Sequence, residues 1–317
     1  MRTFLDFEKP IAELEAKIEE LGSLESNGNA VSVAEEIAAL RAKADKALKK
    51  TYAKLTPWQK TQVARHPERP HFLDYVKALF EEFSPLAGDR AFADDLAILG
   101  GLARFRGRPL MVIGHEKGAD TKSRLKHNFG MGRPEGYRKS IRLMDMAEKF
   151  QIPVVTFVDT PGAYPGVGAE ERGQAEAIAR SIERCITLSV PTIAIVIGEG
   201  GSGGAVAIAS ANSVLMLEHA IYSVASPEAA ASILWRDSSR AKDAATSMKI
   251  TAQDLAGLGV LDKIVDEPLG GAHRDREVVL GTIGDQLAVS LERFEGLGAA
   301  ELRNQRRRKY LDMGVEA

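Results

Sequence analysis

The segment TIAIVIGEGGSGGAVAIA, residues 192–209, carries the strongest chemical signal in the chain. Its β-branched start predicts a strand, five glycines follow within residues 198–204, and the small residues from Ala205 onward predict a helix. Glycines at this junction expose backbone N–H groups at a helix N-terminus, where the dipole favours negative charge. The segment is therefore a candidate oxyanion hole. Five glycines in seven residues favour this interpretation over glycines that only allow close helix–sheet packing.

A second glycine-rich segment, VDTPGAYPGVGAEERG at residues 158–173, predicts an irregular loop between a strand and a helix. Loops at the carboxyl ends of strands hold the ligand sites of open α/β sheets. The stretch Asp159–Gly162 matches the D-x-x-G pattern of nucleotide switches, but the chain contains no G-x-x-x-x-G-K-[ST] phosphate loop. A ligand loop and a long structural turn both remain open at this stage.

A dinucleotide-binding motif is the main alternative for the first segment. Gly198, Gly200 and Gly203 satisfy G-x-G-x-x-G, and Glu218 follows Gly198 by 20 residues. The helix, however, has room only for residues 203–211 before the next predicted strand, whereas a parallel crossover usually needs a longer one. The motif also lies in mid-chain with strands before it, so a dinucleotide-dependent oxidoreductase is the less favoured interpretation.

Side-chain acid–base or metal constellations are not evident in the sequence. The six histidines show no ligand spacing, and the single cysteine, Cys185, can form neither an internal disulfide nor a metal cluster. This pattern favours catalysis by positioning and backbone N–H donors. The polar segment 115–139 has seven cations against three acids, a net +4 that could attract a phosphorylated ligand or an acidic partner, with a solvated loop as the alternative.

The composition of the chain argues against nucleic-acid-binding and membrane-spanning proteins. The 317 residues carry a formal net charge of −2, which gives no global positive field for nucleic acid. No apolar run reaches the roughly 18 residues of a membrane span, and the first ten residues lack a signal-peptide pattern. We therefore expect a cytoplasmic protein with no membrane or nucleic-acid partner.

The elements that position these segments divide the chain into three predicted parts. Residues 1–90 read as an N-terminal helical arm, with a helical hairpin in its first half. Residues 91–270 alternate short apolar strands with helices and predict an α/β core. The predicted strands are Leu110–Gly114, Val154–Asp159, Thr192–Gly198, Ser213–Leu217 and Ile221–Ser226. Residues 271–317 form a helical tail whose cations, from Arg303 to Lys309, are read as a solvated face.

The order of several long blocks resembles one family closely. These blocks are FLDFEKPIAELEAKI, GDRAFADD, GHEKG, NFGMGRPEGYRK, VDTPGAYPGVGAEERGQAEAIA, GEGGSGGAVAI, YSVASPEAAASILW and EPLGGAHR. Together they resemble the α subunits of bacterial acetyl-CoA carboxylase carboxyltransferases, over about residues 4–274. The resemblance implies a crotonase-like α/β fold, a spiral of ββα units, in which short helices follow glycine-rich strand ends.

The resemblance also implies a reaction and its participants. The carboxyl group of carboxybiotin, held on a biotin carboxyl carrier protein, passes to acetyl-CoA to give malonyl-CoA for fatty-acid synthesis. The α subunit pairs with a β subunit, usually as α2β2, and biotin carboxylase belongs to the wider complex. The zinc ribbon lies in the β subunit, so no metal is expected in this chain.

Transferred to this sequence, the resemblance assigns roles to the glycine segments. Gly203 and Gly204 are the expected N–H donors to the ureido oxygen of biotin, with a further donor from Gly162 or Ala163. The expected cofactor-binding glycines are Gly200, Gly201, Gly166 and Gly168. A non-catalytic scaffold for the β subunit remains the alternative from a different class.

Overall fold

The structure, a computed structural model, describes residues 3–25 and 30–314. The α-helices are α1 (Lys9–Glu25), α2 (Ala30–Tyr52), α3 (Pro57–Ala64), α4 (Phe72–Leu79), α5 (Thr121–Lys126), α6 (Pro134–Phe150), α7 (Val167–Glu171), α8 (Gln174–Thr187), α9 (Ser202–Ala209), α10 (Pro227–Trp235), α11 (Ala241–Ser247), α12 (Ala252–Gly257), α13 (Arg276–Glu292) and α14 (Ala299–Asp312). The strands are β1 (Glu81–Pro85), β2 (Ile98–Phe105), β3 (Arg108–His115), β4 (Val154–Thr160), β5 (Thr192–Gly201), β6 (Ser213–Leu217), β7 (Ile221–Ser223) and β8 (Lys263–Val265). Short 3₁₀ turns lie at Asp6–Glu8, Asn128–Gly130 and Ser238–Arg240.

One mixed sheet organises these elements, in the order β1-β2-β3-β4-β5-β6-β8, with β7 also paired to β5. Strands β1, β2 and β3 pair antiparallel, and the pairs from β3 through β8 are parallel. Every residue of β4, β5 and β6 is buried, which explains their continuous apolar sequences. Because β4 and β5 are parallel neighbours, their carboxyl ends, and the two glycine-rich segments, lie at the same edge of the sheet.

The predicted helical hairpin corresponds to α1 and α2, which pack against each other. Its predicted connecting loop, residues 22–31, is shorter in the structure, since helix continues to Glu25 and resumes at Ala30; the central residues 26–29 lie outside the described part. Ile11, Leu48, Tyr52 and Val63 form a small core between this hairpin and α3. The arm therefore has a core of its own beside that of the sheet.

The sequence analysis missed three strands. Strand β1 is exposed along most of its length and has no apolar run to reveal it. Strand β2 contains Gly100 and Gly101, and a Cβ at Gly101 would lie 2.1 Å from the Ser84 carbonyl oxygen, so the close approach of β1 requires glycine there. Strand β8 has only three residues. The division at residue 90 stays a prediction, and β1 precedes it.

The interpretation of the C-terminal cations as a solvated face is wrong for Arg306. Its side chain is fully buried. Its guanidinium donates to the carbonyl oxygens of Cys185 (2.9 Å), Leu188 (2.8 Å) and Val190 (3.0 Å), which end α8 and lead into β5. Arg306 thus ties α14 to the polypeptide that enters the central strand. This role was not predictable from the sequence, because only the tertiary structure supplies those carbonyls.

We expect Arg306→Met to lower the free energy of unfolding by about 3 kcal/mol, because at least three buried carbonyl oxygens lose their donor. The measurement is chemical denaturation followed by circular dichroism. Arg307→Met is the matched control, since Arg307 is exposed on the same helix. Equal stabilities for the two variants would contradict the assignment.

Candidate functional site

The first glycine-rich segment forms the junction of β5 and α9. Strand β5 ends at Gly201, and α9 begins directly at Ser202 with no side chain capping its first turn. The N–H groups of a first helical turn have no carbonyl acceptor within the helix, so those of Gly203 and Gly204 lie at an uncapped N-terminus. This arrangement suits a developing negative charge.

The second glycine-rich segment lies against this junction. Thr160 pairs with Gly200, and a Cβ at Gly201 would lie 2.3 Å from the Pro161 carbonyl oxygen. A Cβ at Gly204 would lie 2.7 Å from the backbone nitrogen of Ala163. The structure therefore brings Gly201 and Gly204 together with the loop that follows β4.

The two alternatives for the further donor differ in the structure. The N–H of Gly162 donates to the Thr160 hydroxyl at 3.1 Å, so it is already engaged. The N–H of Ala163 has no hydrogen-bond acceptor among the described residues, and Ala163 is only half-buried. Ala163 is therefore the better candidate of the two. Gly162 instead allows the turn, because its φ of +143° is unfavourable for a residue with a side chain.

Gly203 and Gly204 have different surroundings. Gly204 is buried beneath the Ala163 loop, with the Tyr137 hydroxyl also close to its Cα. Gly203 is half-buried and, with Ser202, contributes to the lining of a cavity of about 710 Å³. Most of that lining is apolar and comes from α8, α9, β6, β7, α12 and α14, with Ile182, Val206 and Leu255 among its residues.

The four glycines expected to bind cofactor are explained at least partly by packing. Gly200 lies against the ring of Tyr222, and Gly201 against Pro161. Gly166 precedes α7 and lies against the ring of Tyr164, and Gly168 lies within α7, close to the Arg172 guanidinium. Their cofactor-binding role stays a prediction. Ser202, between Gly201 and Gly203, is exposed and has a φ of +53°.

A bulge in β5 sets the direction of the glycine junction. The pairing with β4 jumps from Val158–Val196 to Thr160–Gly200, so three residues of β5, 197–199, face Asp159 alone. Bulges of this kind bend a strand and change the direction of the residues after it. The junction at 200–204 therefore depends on how the bulge is held.

Buried side chains supply the hydrogen bonds that the broken ladder loses. The Asp159 carboxylate accepts the Glu199 N–H at 3.0 Å, and its oxygen lies where a side chain at Gly198 would stand. The Arg69 guanidinium donates to the Ile197 carbonyl oxygen at 2.9 Å and is itself held by Glu267 at 2.7 Å. The bulge is thus fixed from both sides.

Opposite charges balance within this cluster. Lys117 Nζ lies 2.7 Å from Asp159 and 3.5 Å from Glu199, and Arg65 lies 2.6 Å from Glu199. Burial alone would raise the pKa of Asp159, but Lys117 and His71 hold it below its usual range. Burial would likewise lower the pKa of Lys117, but the two carboxylates raise it. Asp159 and Lys117 are therefore both charged at neutral pH.

Sequence reasoning missed this cluster because its partners are far apart in the chain. Arg65 and Glu199 are separated by 134 residues, and Lys117 and Glu199 by 82. The only available signal was the position of Asp159 and Glu199 at the ends of two predicted neighbouring strands.

Comparison with known proteins identifies the family of this chain. A family model described as acetyl co-enzyme A carboxylase carboxyltransferase-like matches residues 4–314. The chain belongs to that family. It is a carboxyltransferase subunit of the biotin-dependent acetyl-CoA carboxylase type, as the sequence resemblance predicted.

Relatives match along nearly their whole length. An acetyl-coenzyme A carboxylase carboxyl transferase subunit alpha of Methylobacterium sp. (strain 4-46) is 65% identical over 314 residues, covering 99% of both chains. The subunit of the same description from Nitrobacter winogradskyi is 64% identical, covering 99% of this chain and 98% of its own. Membership in this family implies an acyl-CoA substrate, a biotin-borne carboxyl donor and a partner subunit.

Solved structures support the fold. A Pseudomonas malonate decarboxylase hetero-tetramer in complex with coenzyme A aligns with a TM-score of 0.60 at 18% identity, covering 73% of this chain and 90% of that one. The transcarboxylase 12S hexamer aligns with a TM-score of 0.58 at 19% identity, covering 71% of this chain but only 42% of that one. The crotonase-like fold is therefore confirmed. Helix α9, with eight residues, is short as that fold predicts.

The described residues, 3–25 and 30–314, contain no group of three or more His, Cys, Asp or Glu side chains that could hold a metal ion. Within the same residues, no helix is long and apolar enough to cross a membrane.

His115, at the end of β3, is fully buried, and within residues 3–25 and 30–314 neither of its ring nitrogens has a hydrogen-bond partner of good geometry. Burial lowers its pKa to about 4. The folded protein therefore takes up this proton only below about pH 4, whereas an unfolded chain does so below about pH 6.5. Above about pH 6.5 the ring is neutral in both states, so it does not make the free energy of unfolding depend on pH. As the pH falls from 6.5 towards 4, only the unfolded chain takes up the proton, and the free energy of unfolding decreases.

We expect His115→Leu to reduce the acid sensitivity of the subunit. In the wild type, this one histidine lowers the free energy of unfolding by about 1.4 kcal/mol per pH unit between pH 6.5 and 4. Denaturation curves at several pH values measure the slope. Part of it remains in the variant because burial also lowers the pKa values of His66, His219 and His273. A variant with the wild-type slope would contradict the assignment.

Proposed function

We propose that this chain is the α half of an enzyme that moves a carboxyl group from carboxybiotin, carried on a biotin carboxyl carrier protein, to acetyl-CoA. The product is malonyl-CoA for fatty-acid synthesis in the cytoplasm. The observation that carries the catalytic role is the uncapped N-terminus of α9 beside the free N–H of Ala163. A protein that served only as scaffold would have no need for unsatisfied donors at this position.

The residues at the glycine junction fit a biotin group. Biotin combines an apolar ring and arm with a polar ureido oxygen, and the cavity has mostly apolar walls and is lined by Gly203, one of the proposed donors. Bound there, carboxybiotin would supply the carboxyl group and a ureido oxygen that gains negative charge as that group leaves. We propose Gly200, Gly201, Gly166 and Gly168 as the backbone frame that shapes the two loops around it.

The chain's own contribution is to hold fixed donors at that oxygen. The N–H groups of Gly203 and Gly204 are aligned by α9, whose dipole favours the negative charge. The N–H of Ala163 supplies a donor from the opposite loop, and Gly162 shapes that loop. Such donors need no reorganisation during the reaction, and loss of one typically costs about 2.7–4 kcal/mol in the transition state.

The proposed assembly is an α2β2 complex with the carboxyltransferase β subunit, served by the carrier protein and, in the wider complex, by biotin carboxylase. The assembly rests on the family, since the structure contains one chain. Any metal of the complex is proposed to lie in the β subunit.

Reconstitution tests the function. The purified chain, β subunit, carboxylated carrier protein and acetyl-CoA are combined, and malonyl-CoA is measured with each component omitted in turn. We expect product only when all are present. Product without the α chain would reject a catalytic role and favour a scaffold. Thermal stabilisation by NAD, with no malonyl-CoA formed, would revive the dinucleotide alternative.

A further inference from the structure

The surface formed by α5 and the turn after it combines exposed apolar side chains with cations. Leu125 is 66% exposed and Phe129 is 44% exposed, which is unusual for such large apolar side chains. Four cations, Lys122, Arg124, Lys126 and Arg133, belong to the same stretch of chain, and Arg124 and Phe129 line a common cavity. We call these six residues the 122–133 patch.

The cations of the patch have no carboxylate partner. None of the four forms an ion pair with any residue in 3–25 or 30–314, whereas Arg138 and Lys139, from the same basic segment, pair with Asp89 and Asp94. The exposed Asp120, two residues before Lys122, caps α5 by accepting the Ser123 N–H at 2.9 Å. The net charge of +4 that residues 115–139 carry therefore lies mainly on this surface.

The backbone under Phe129 is strained. Asn128 and Phe129 have φ values of +47° and +56°, and Gly130 follows at +76°. A left-handed conformation is costly for a bulky aromatic residue, by about 1–3 kcal/mol. It is held by anchors on both sides, since Asn128 donates to the Met131 carbonyl oxygen at 2.8 Å and the His127 ring bonds to the Leu96 carbonyl oxygen. The backbone conformation that exposes Phe129 to solvent is therefore unfavourable by itself and is stabilised by these contacts.

The patch borders the candidate site. The Tyr164 N–H donates to the Gly132 carbonyl oxygen at 2.9 Å, and the Arg133 guanidinium lies 4.8 Å from the centre of the Tyr164 ring. Phe129 and Arg124 line a cavity of about 340 Å³ whose lining also includes Asp159 and Pro161, at the end of β4. A partner bound to the patch would therefore lie close to the loop that contains Ala163.

We propose that the 122–133 patch docks an acidic protein surface, namely that of the carrier protein which delivers biotin. The inference rests on the proposed function, because it names the partner of that same site. Unpaired cations attract an acidic partner and raise its association rate, while Leu125 and Phe129 provide the apolar contact that a transient interface buries. The patch contains none of the donors but contacts Tyr164, which follows Ala163 in the chain, as a macromolecule that presents a tethered group requires.

The test uses the complete αβ complex with Lys122→Glu/Lys126→Glu. The Kd of the carrier, measured by fluorescence anisotropy, and its KM should each rise about tenfold or more, the size expected when steering charges are reversed. The KM for acetyl-CoA should stay unchanged, and so should the rate of the reverse reaction, in which malonyl-CoA gives its carboxyl group to free biotin in place of the carrier. Lys46→Glu/Lys50→Glu is the matched control, with the same spacing and charge change on exposed positions of α2.

The variant Phe129→Asn tests whether weaker carrier binding can occur without a loss of stability. Asparagine tolerates the left-handed conformation, so the variant should be at least as stable as the wild type while binding the carrier more weakly. An unchanged carrier Kd in both patch variants would overturn the proposal. A raised KM for acetyl-CoA alone would assign the patch to CoA phosphates instead, and an equal effect of the control pair would show only a long-range field. Absence of malonyl-CoA with the wild-type complex would reject the proposed function itself.

Discussion

Gly204→Ala should lower the turnover of the reconstituted enzyme by about 10²–10³-fold, whereas Gly203→Ala should leave it within about threefold. Both variants keep their backbone N–H. They differ in where the new methyl group points, since a Cβ at Gly204 lies 2.7 Å from the Ala163 nitrogen and one at Gly203 lies 3.4 Å from Ile178. The first displaces the opposite donor, and the second makes an ordinary contact.

Stability and assembly measurements accompany this pair of variants. Alanine is favoured over glycine inside a helix by about 1 kcal/mol, so α9 itself should not weaken in either variant. Turnover is measured with saturating carrier and acetyl-CoA, and assembly with the β subunit by size-exclusion chromatography. Normal assembly with near-normal turnover for Gly204→Ala would favour the scaffold alternative over catalysis.

Asp159→Ala should lower turnover by about 100-fold, the loss that a displacement of about 1 Å can produce at a reacting group. It should also cost about 3 kcal/mol of stability, since it leaves the largely buried Lys117 charge without its nearest partner and with only Glu199 at 3.5 Å. The loss of turnover follows from the bulge: the carboxylate accepts the Glu199 N–H and holds the strand that presents Gly203 and Gly204. Asp159 is therefore a positioning residue.

Partial rescue distinguishes positioning from stability alone. Asp159→Asn keeps an oxygen that can accept the Glu199 N–H but loses the charge that faces Lys117, so it should recover more turnover than stability. The KM for acetyl-CoA should be similar in both variants. Asp145→Ala, which removes an exposed partner of Arg184, is the control and should change neither quantity appreciably. Equal losses of turnover for Asn and Ala would contradict the role assigned to the bulge.

The strands that surround the site were predictable where burial leaves an apolar run. Strand β6 was predicted with its observed ends, Ser213–Leu217, and β4 within one residue. Strand β5 continues three residues beyond its predicted end because Gly200 and Gly201 pair with Tyr222 and Ser223 of β7. Glycines that resemble a loop in the sequence can thus complete a ladder when a neighbouring strand approaches closely.

The amino-acid sequence by itself determined the class of the protein, the family and the two glycine-rich segments, because these depend on local composition and on residues in a row. Only the tertiary structure decided which N–H is free at the second loop: the Thr160 hydroxyl engages Gly162 and leaves Ala163. It also decided that Asp159 and Arg69 hold the bulge and that Arg306 is buried. The contacts of Asp159, Arg69 and Arg306 join residues about 40 to 130 positions apart, and they form only when folding brings these distant segments together.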